Sequence, residues 1–160
     1  MTAGIGSAAT RKVMERLAGP TGGGLTVGAL TEAGSEGPPL RAQNAAAELV
    51  ERSTTVKYPL VSVYCEKVIN DLREKFRSFA GSVEMAIEVR HSQDRLEGME
   101  EALEQQTDAV TKALSASRGD WGDGMYYAGA YAVSFGRMAR GGRNFTQAAK
   151  VTFEIGVSRN

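Results

Sequence analysis

His91 is the only imidazole in this 160-residue chain and Cys65 the only thiol, so acid–base or nucleophilic chemistry would have to rest on one of them or on carboxylates. Imidazole suits proton transfer near neutral pH, but it needs partners that converge on it. His91 stands at the end of an alternating run, Val83 to Arg90, beside Ser92 and Asp94, where a capping or surface role accounts for it. Cys65 lies inside the β-rich run Leu60-Val61-Ser62-Val63-Tyr64-Cys65, an ordinary place for a small buried thiol, and no second cysteine exists for a disulfide within the chain. With one His and one Cys far apart, only carboxylates could complete a metal site, and the acids of 97–108 spread along a solvent face, so no structural metal is expected. The run Gly19-Pro20-Thr21-Gly22-Gly23-Gly24 lacks both the Lys-Ser/Thr and the preceding strand that a phosphate-cradling loop requires. The expectation is a protein that is not an enzyme and that carries no cofactor.

Charge is more informative than reactive groups. The formal net charge is zero, which removes any global electrostatic reason to bind nucleic acid or anionic lipid. Locally, eight acids face three bases from Gln93 to Gly124, whereas five bases face a single acid from Met125 onward. Glu97, Glu101 and Glu104 belong to the acidic block, on a helix face too poor in lysine to neutralise them. Arg137, Arg140, Arg143 and Asn144 surround Gly141-Gly142 between two strands, which reads as a hairpin tip of concentrated positive charge. Such a tip would either remain solvated, dock on an acidic protein surface, or graze nucleic acid through phosphate contacts; no base-reading pattern accompanies it.

The elements that must position these groups follow from periodicity. Ile5, Ala9, Val13 and Leu17 recur at four-residue steps, a helical stripe with so little apolar surface that it needs a partner, and Gly19-Pro20 stops it. Residues 19–39, with seven glycines and three prolines, read as a flexible linker or long loop. Leu40 to Arg52 is alanine-rich after Pro38-Pro39 and predicts a helix. Pro59 to Cys65 predicts a strand; residues 66–79 fit either a short helix, from the spacing of Val68, Leu72, Phe76 and Phe79, or the arms of a long hairpin. Val83, Met85, Ile87 and Val89 alternate with Glu84, Ala86, Glu88 and Arg90 as a half-buried strand. Ser92 reads as the N-cap of a long helix on which Leu96, Met99, Leu103, Val110 and Leu114 trace one face until Gly119. Tyr126 to Met138 and Lys150 to Ser158 predict a final antiparallel pair, with Tyr127, Tyr131 and Phe135 on one face and Ala128, Ala130 and Ala132 opposite, a flat surface suited to close approach by another subunit.

The predicted fold is α+β: an antiparallel four-stranded sheet with helices packed on one face, in the order α-β-β-α-β-β. An N-terminal helix and Gly/Pro-rich arm (1–39) precedes a core domain (40–160). No export signal or membrane span is expected, since no following apolar segment accompanies Arg11, Lys12 and Arg16 and no run of 18 apolar residues occurs.

This arrangement resembles the bacteriophage tail terminator and neck (head-to-tail joining) proteins. The residues that carry the resemblance are a helix, the strand entry Lys57-Tyr58-Pro59-Leu60-Val61-Ser62-Val63-Tyr64, a hairpin ending Ala86-Ile87-Glu88-Val89-Arg90, a long helix, and a C-terminal pair ending Thr152-Phe153-Glu154-Ile155-Gly156-Val157, over about residues 40–160. The resemblance implies a virion protein made in the host cytoplasm. It would form a homo-oligomeric ring, commonly sixfold, that caps the tail tube, joins it to the connector and leaves a pore for DNA. Carried onto this chain, Arg137, Arg140, Arg143 and Asn144 would line a ring face or pore, and Glu97, Glu101 and Glu104 would meet an adjoining subunit; residues 1–39 would clasp a neighbouring neck protein. Alternatives are a connector adaptor, a head-closure protein, or a nucleic-acid-binding α+β module whose affinity would fall steeply with salt.

Overall fold

The computed structural model of the chain describes residues 4–18, 42–44 and 60–160. Among the described residues nine elements run in the order α1 (Ile5–Ala18), β1 (Ala42–Asn44), β2 (Leu60–Asn70), β3 (Phe79–Gln93), α2 (Met99–Ala116), β4 (Gly119–Gly122), β5 (Met125–Phe135), β6 (Ala139–Gly141) and β7 (Asn144–Arg159). The fold is α+β, with both helices on one face of a mostly antiparallel sheet. The sheet is wider than the four strands expected: among the described residues six lie side by side in the order β1-β2-β3-β7-β5-β4, and short β6 pairs with β7. Among the described strands only β1 and β2 pair in parallel.

Alternation drives the central strands. Register aligns Val63, Ile87, Val151 and Val133 in one row and Cys65, Met85, Phe153 and Tyr131 in the next, so each strand turns the same parity toward the helices. α1 lies over β2 and β3, α2 over β3, β7 and the start of β5. Ala9, Val13 and Leu17 of α1 join Leu103, Val110 and Leu114 of α2 in one buried cluster with those strand residues. The partner surface that the amphipathic N-terminal helix requires is therefore the sheet of its own chain. Lys12 adds an ion pair to Asp123 at 3.1 Å, and the Arg16 guanidinium stands 5.8 Å from the Trp121 ring.

Several element boundaries differ from expectation for identifiable reasons. Residues 42–44 of the expected 40–52 helix form β1 against β2, where strand pairing overrides alanine's helix propensity; the rest of that helix and the linker 19–39 lie outside the described residues. Between Val68 and Phe79 the chain is a hairpin: β2 continues to Asn70, and only Asp71–Ser78 turn. Ser92 is not a helix cap, because β3 continues through it to pair Ser92 with Thr146 and Gln93 with Phe145. α2 begins instead after Gly98, whose left-handed φ of 77° reverses the chain and whose carbonyl accepts from Ala102 N–H at 3.0 Å. Leu96, expected on the helix's inward face, stands in the turn and is 57% exposed. The last hairpin is also shifted, since β5 stops at Phe135, short of Met138, and β7 starts at Asn144, ahead of Lys150.

β5 carries a two-residue bulge. Its register against β7 moves from Tyr127↔Ile155 to Tyr131↔Phe153, with Gly129 at φ 108° and the Tyr127 hydroxyl donating to the Ala130 carbonyl at 3.2 Å. Two inserted residues preserve parity, so Tyr131, Val133 and Phe135 stay on the helix side. α2 reaches only the beginning of β5, however. Tyr127 is buried between Trp121 and Phe153, but Tyr131 and Phe135 are 44% and 49% exposed.

Candidate functional site

The sheet face without helices, among the described residues, holds an ionic cluster. Lys150 pairs with Glu66 and lies 5.9 Å from the Tyr64 ring; the Tyr64 hydroxyl donates to Glu88, which also pairs with Arg90 at 2.8 Å. Glu66 holds the Lys150 ammonium above its usual range, and partial burial, then Glu88, pushes the Tyr64 phenol up. The formal charges of Lys150, Glu66, Glu88 and Arg90 sum to zero.

Cys65 is half-buried, with its thiol raised chiefly by burial, where α1 crosses β2: a Cβ on Gly6 would meet its Sγ at 3.2 Å. It is expected to react with a maleimide several-fold more slowly than free cysteine at pH 8, a difference that a stopped-flow labelling trace and its loss in denaturant would check.

His91 belongs to a polar relay that links the sheet to α2 and to the turn after β3. Gln106 Nε2 donates to Nδ1 at 3.1 Å and His91 Nε2 donates to Gln93 Oε1 at 2.9 Å, a tautomer assigned from these two partners. Gln93 Nε2 in turn donates to the carbonyls of Arg95 and Glu97 at 2.6 and 2.8 Å. The imidazole thus positions a turn. Among the described residues, no three His, Cys, Asp or Glu side chains come together as a metal site, and no helix is long and apolar enough to cross a membrane.

The turn held by this relay forms one wall of an open groove of about 530 Å³, with the first turns of α2 as floor and the β5–β6 connection opposite. Its lining mixes apolar Leu96, Met99 and Met138 with Glu100, Glu101 and Glu104. The acidic helix and the basic hairpin, which the sequence separates, therefore sit at one end of the molecule, on either side of the groove. Arg137, Arg140, Arg143 and Asn144 are exposed there; the arginines do not line the groove, and Arg140 is drawn over the Phe145 ring at 5.7 Å. Glu97 lies in the turn and Glu101 and Glu104 on α2, all exposed, and none of the three makes an ion pair among the described residues.

No protein-family model matches this chain and no curated protein is similar to it.

Three surface features are not evident in the sequence. Met138 was expected inside a strand, and only tertiary packing brings it against α2. The exposure of Tyr131 and Phe135 follows from where α2 ends over the sheet. At the opposite end, the β2–β3 turn presents Phe76, 100% exposed. Its position between Lys75 and Arg77 was a signal for a surface site, masked by the helix-like spacing of Val68, Leu72, Phe76 and Phe79.

Proposed function

We propose that this chain is a virion structural protein of the tail terminator kind, assembling as a homo-oligomeric ring at the head-proximal end of a phage tail, where it caps the tail tube and meets the connector. One observation carries the reading: beyond its bulge, β5 has no strand on its outer side among the described residues, since β4 pairs only with its first residues. Along this free edge Tyr131 and Phe135 are exposed while Val133 between them packs against the core, and Tyr127 to Phe135 contains no charged side chain. Proteins that stay monomeric blunt such edges with charge, proline or a cover, so an uncharged aromatic edge is a surface for another subunit. The arginines of the β5–β7 hairpin, which have no acidic partner among the described residues, fit the ring face toward the connector or the pore, where phosphate contacts need no sequence preference.

The test is solution mass by light scattering across concentration, with negative-stain images of the same sample. Discrete closed assemblies are expected for the natural chain. Tyr131→Lys with Phe135→Lys is expected to yield monomers with the same circular dichroism, because both side chains are already half exposed. A chain that is monomeric at every concentration sinks the proposal, and salt-sensitive DNA binding by that monomer would favour the nucleic-acid module, to which the free arginines also lend themselves.

A further inference from the structure

Two ends of the sheet differ in a complementary way. β3 spans 15 residues, about 45 Å at the usual rise per residue. At its start is the turn Asp71–Ser78; at its finish are the turn 94–98 and the acidic groove. In the first turn Leu72 and Phe76 adopt φ of 51° and 66°, a conformation that bulky L residues seldom take, and Phe76 is the most exposed large apolar side chain described. Several contacts tie this strained turn to the sheet. Arg73 N–H donates to the Ala80 carbonyl at 3.1 Å, Asn70 Nδ2 to the Ser78 carbonyl at 3.1 Å, and the Ser158 hydroxyl to Glu74 at 3.0 Å. Arg73 and Arg77 are paired with Asp71 and Glu74, whereas Lys75, next to Phe76, has no acidic partner among the described residues. A fixed, strained turn that holds a phenyl ring in water beside an unpaired ammonium is preorganised for a partner with an apolar floor and an acidic rim.

The groove at the other end has that composition. Leu96 and Met138 supply apolar surface above the buried Met99, and Glu100, Glu101 and Glu104 supply carboxylates with no cation partner among the described residues. We infer that the Phe76 turn of one copy seats in the Leu96–Met138 groove of the next, with Lys75 over Glu100, Glu101 and Glu104. This rests on the self-assembly reading above and specifies one of its contacts. Because knob and groove are different surfaces at opposite ends of one strand, a head-to-tail repeat of this contact closes into a ring or propagates, whereas a reciprocal exchange between two antiparallel copies would end at a dimer, and sedimentation distinguishes the two.

The experiment uses two full-length variants, Phe76→Ala, which keeps the groove, and Glu101→Lys, which keeps the knob, followed by sedimentation velocity over a dilution series. Both positions are exposed, so melting temperatures should stay within about 2 °C of the natural chain. Loss of a central aromatic anchor, or of charge complementarity beside it, is expected to raise the concentration needed for assembly by at least about 30-fold in either variant. Mixed in equal amounts, the variants retain one intact contact and are expected to form a 1:1 dimer that neither forms alone. If either single variant assembles like the natural chain, this contact is wrong while dependence on the β5 edge can still stand. If the mixture stays monomeric, the head-to-tail pairing is wrong. If the natural chain never assembles, both this contact and the ring are wrong.

Discussion

Val13→Asp is expected to remove about 4–5 kcal/mol of stability, most of what a domain of this size possesses. Val13 is fully buried between the sheet and α2, in a cluster with Ala9 and Leu17, and no cation lies in that apolar cluster to receive a carboxylate. The chain must then protonate the new side chain, unfold, or release α1. Release of α1 has its own signature, because the helix shields Cys65 at Gly6. Chemical denaturation should show a large fall in midpoint, and thiol labelling at Cys65 should accelerate toward the rate of the unfolded chain. Ser7→Asp, on the exposed face of the same helix, is the control and should change neither. A small effect at Val13 would mean that α1 is an appendage after all.

The second large effect is expected at Gly124. Its φ of 76° alone disfavours any side chain, and a Cβ there would stand within van der Waals overlap of the Ser158 carbonyl oxygen, a backbone atom that cannot rotate away. The close approach exists because the Ser158 amide donates to the Gly124 carbonyl at 2.9 Å, tying the β4–β5 turn to the end of β7. Gly124→Ala therefore combines left-handed strain with a forced backbone shift and should cost about 3 kcal/mol, lowering the melting temperature by roughly 6–12 °C. Gly98→Ala separates the two effects. Its φ of 77° is nearly the same, but nothing lies within 4 Å of the added carbon, so only the strain remains, about 1 kcal/mol. Equal losses at the two glycines would show that conformation alone decides.

How much was legible depended on whether local pattern or tertiary pairing set each feature. The alternation of Val83 to Arg90 and of Lys150 to Val157 identified the two central strands, because a strand half buried in the sheet must repeat every two residues. The stripe Met99, Leu103, Val110, Leu114 identified α2 for the equivalent reason at helical spacing. Boundaries failed where long-range pairing won. Ser92 and Asp94 have the chemistry of a helix start, yet β7 extends far enough to keep Ser92 and Gln93 in the sheet. β4, Gly119–Gly122, is too short and too rich in glycine to show any period. The charged residues of the site were legible as types. Their convergence was not: Glu101 and Met138 meet only because α2 and the β5–β6 connection return to the same end of β3.

The order in which strands occupy the sheet has a kinetic consequence. β7, the last element in chain order, lies between β3 and β5 and also carries β6. Its pairing with β3 joins Phe79 to Arg159 and Gln93 to Phe145, contacts between residues far apart in sequence. The hairpin of β2 and β3 can form early, but the sheet has no centre until β7 arrives, so the loop-closure entropy of that whole interval opposes the decisive step. Folding should therefore be slow for a domain of this length and gain little from local helix formation. Until β7 docks, β3 and β5 each wait with an unsatisfied edge, and self-association during synthesis competes with folding for the same hydrogen bonds.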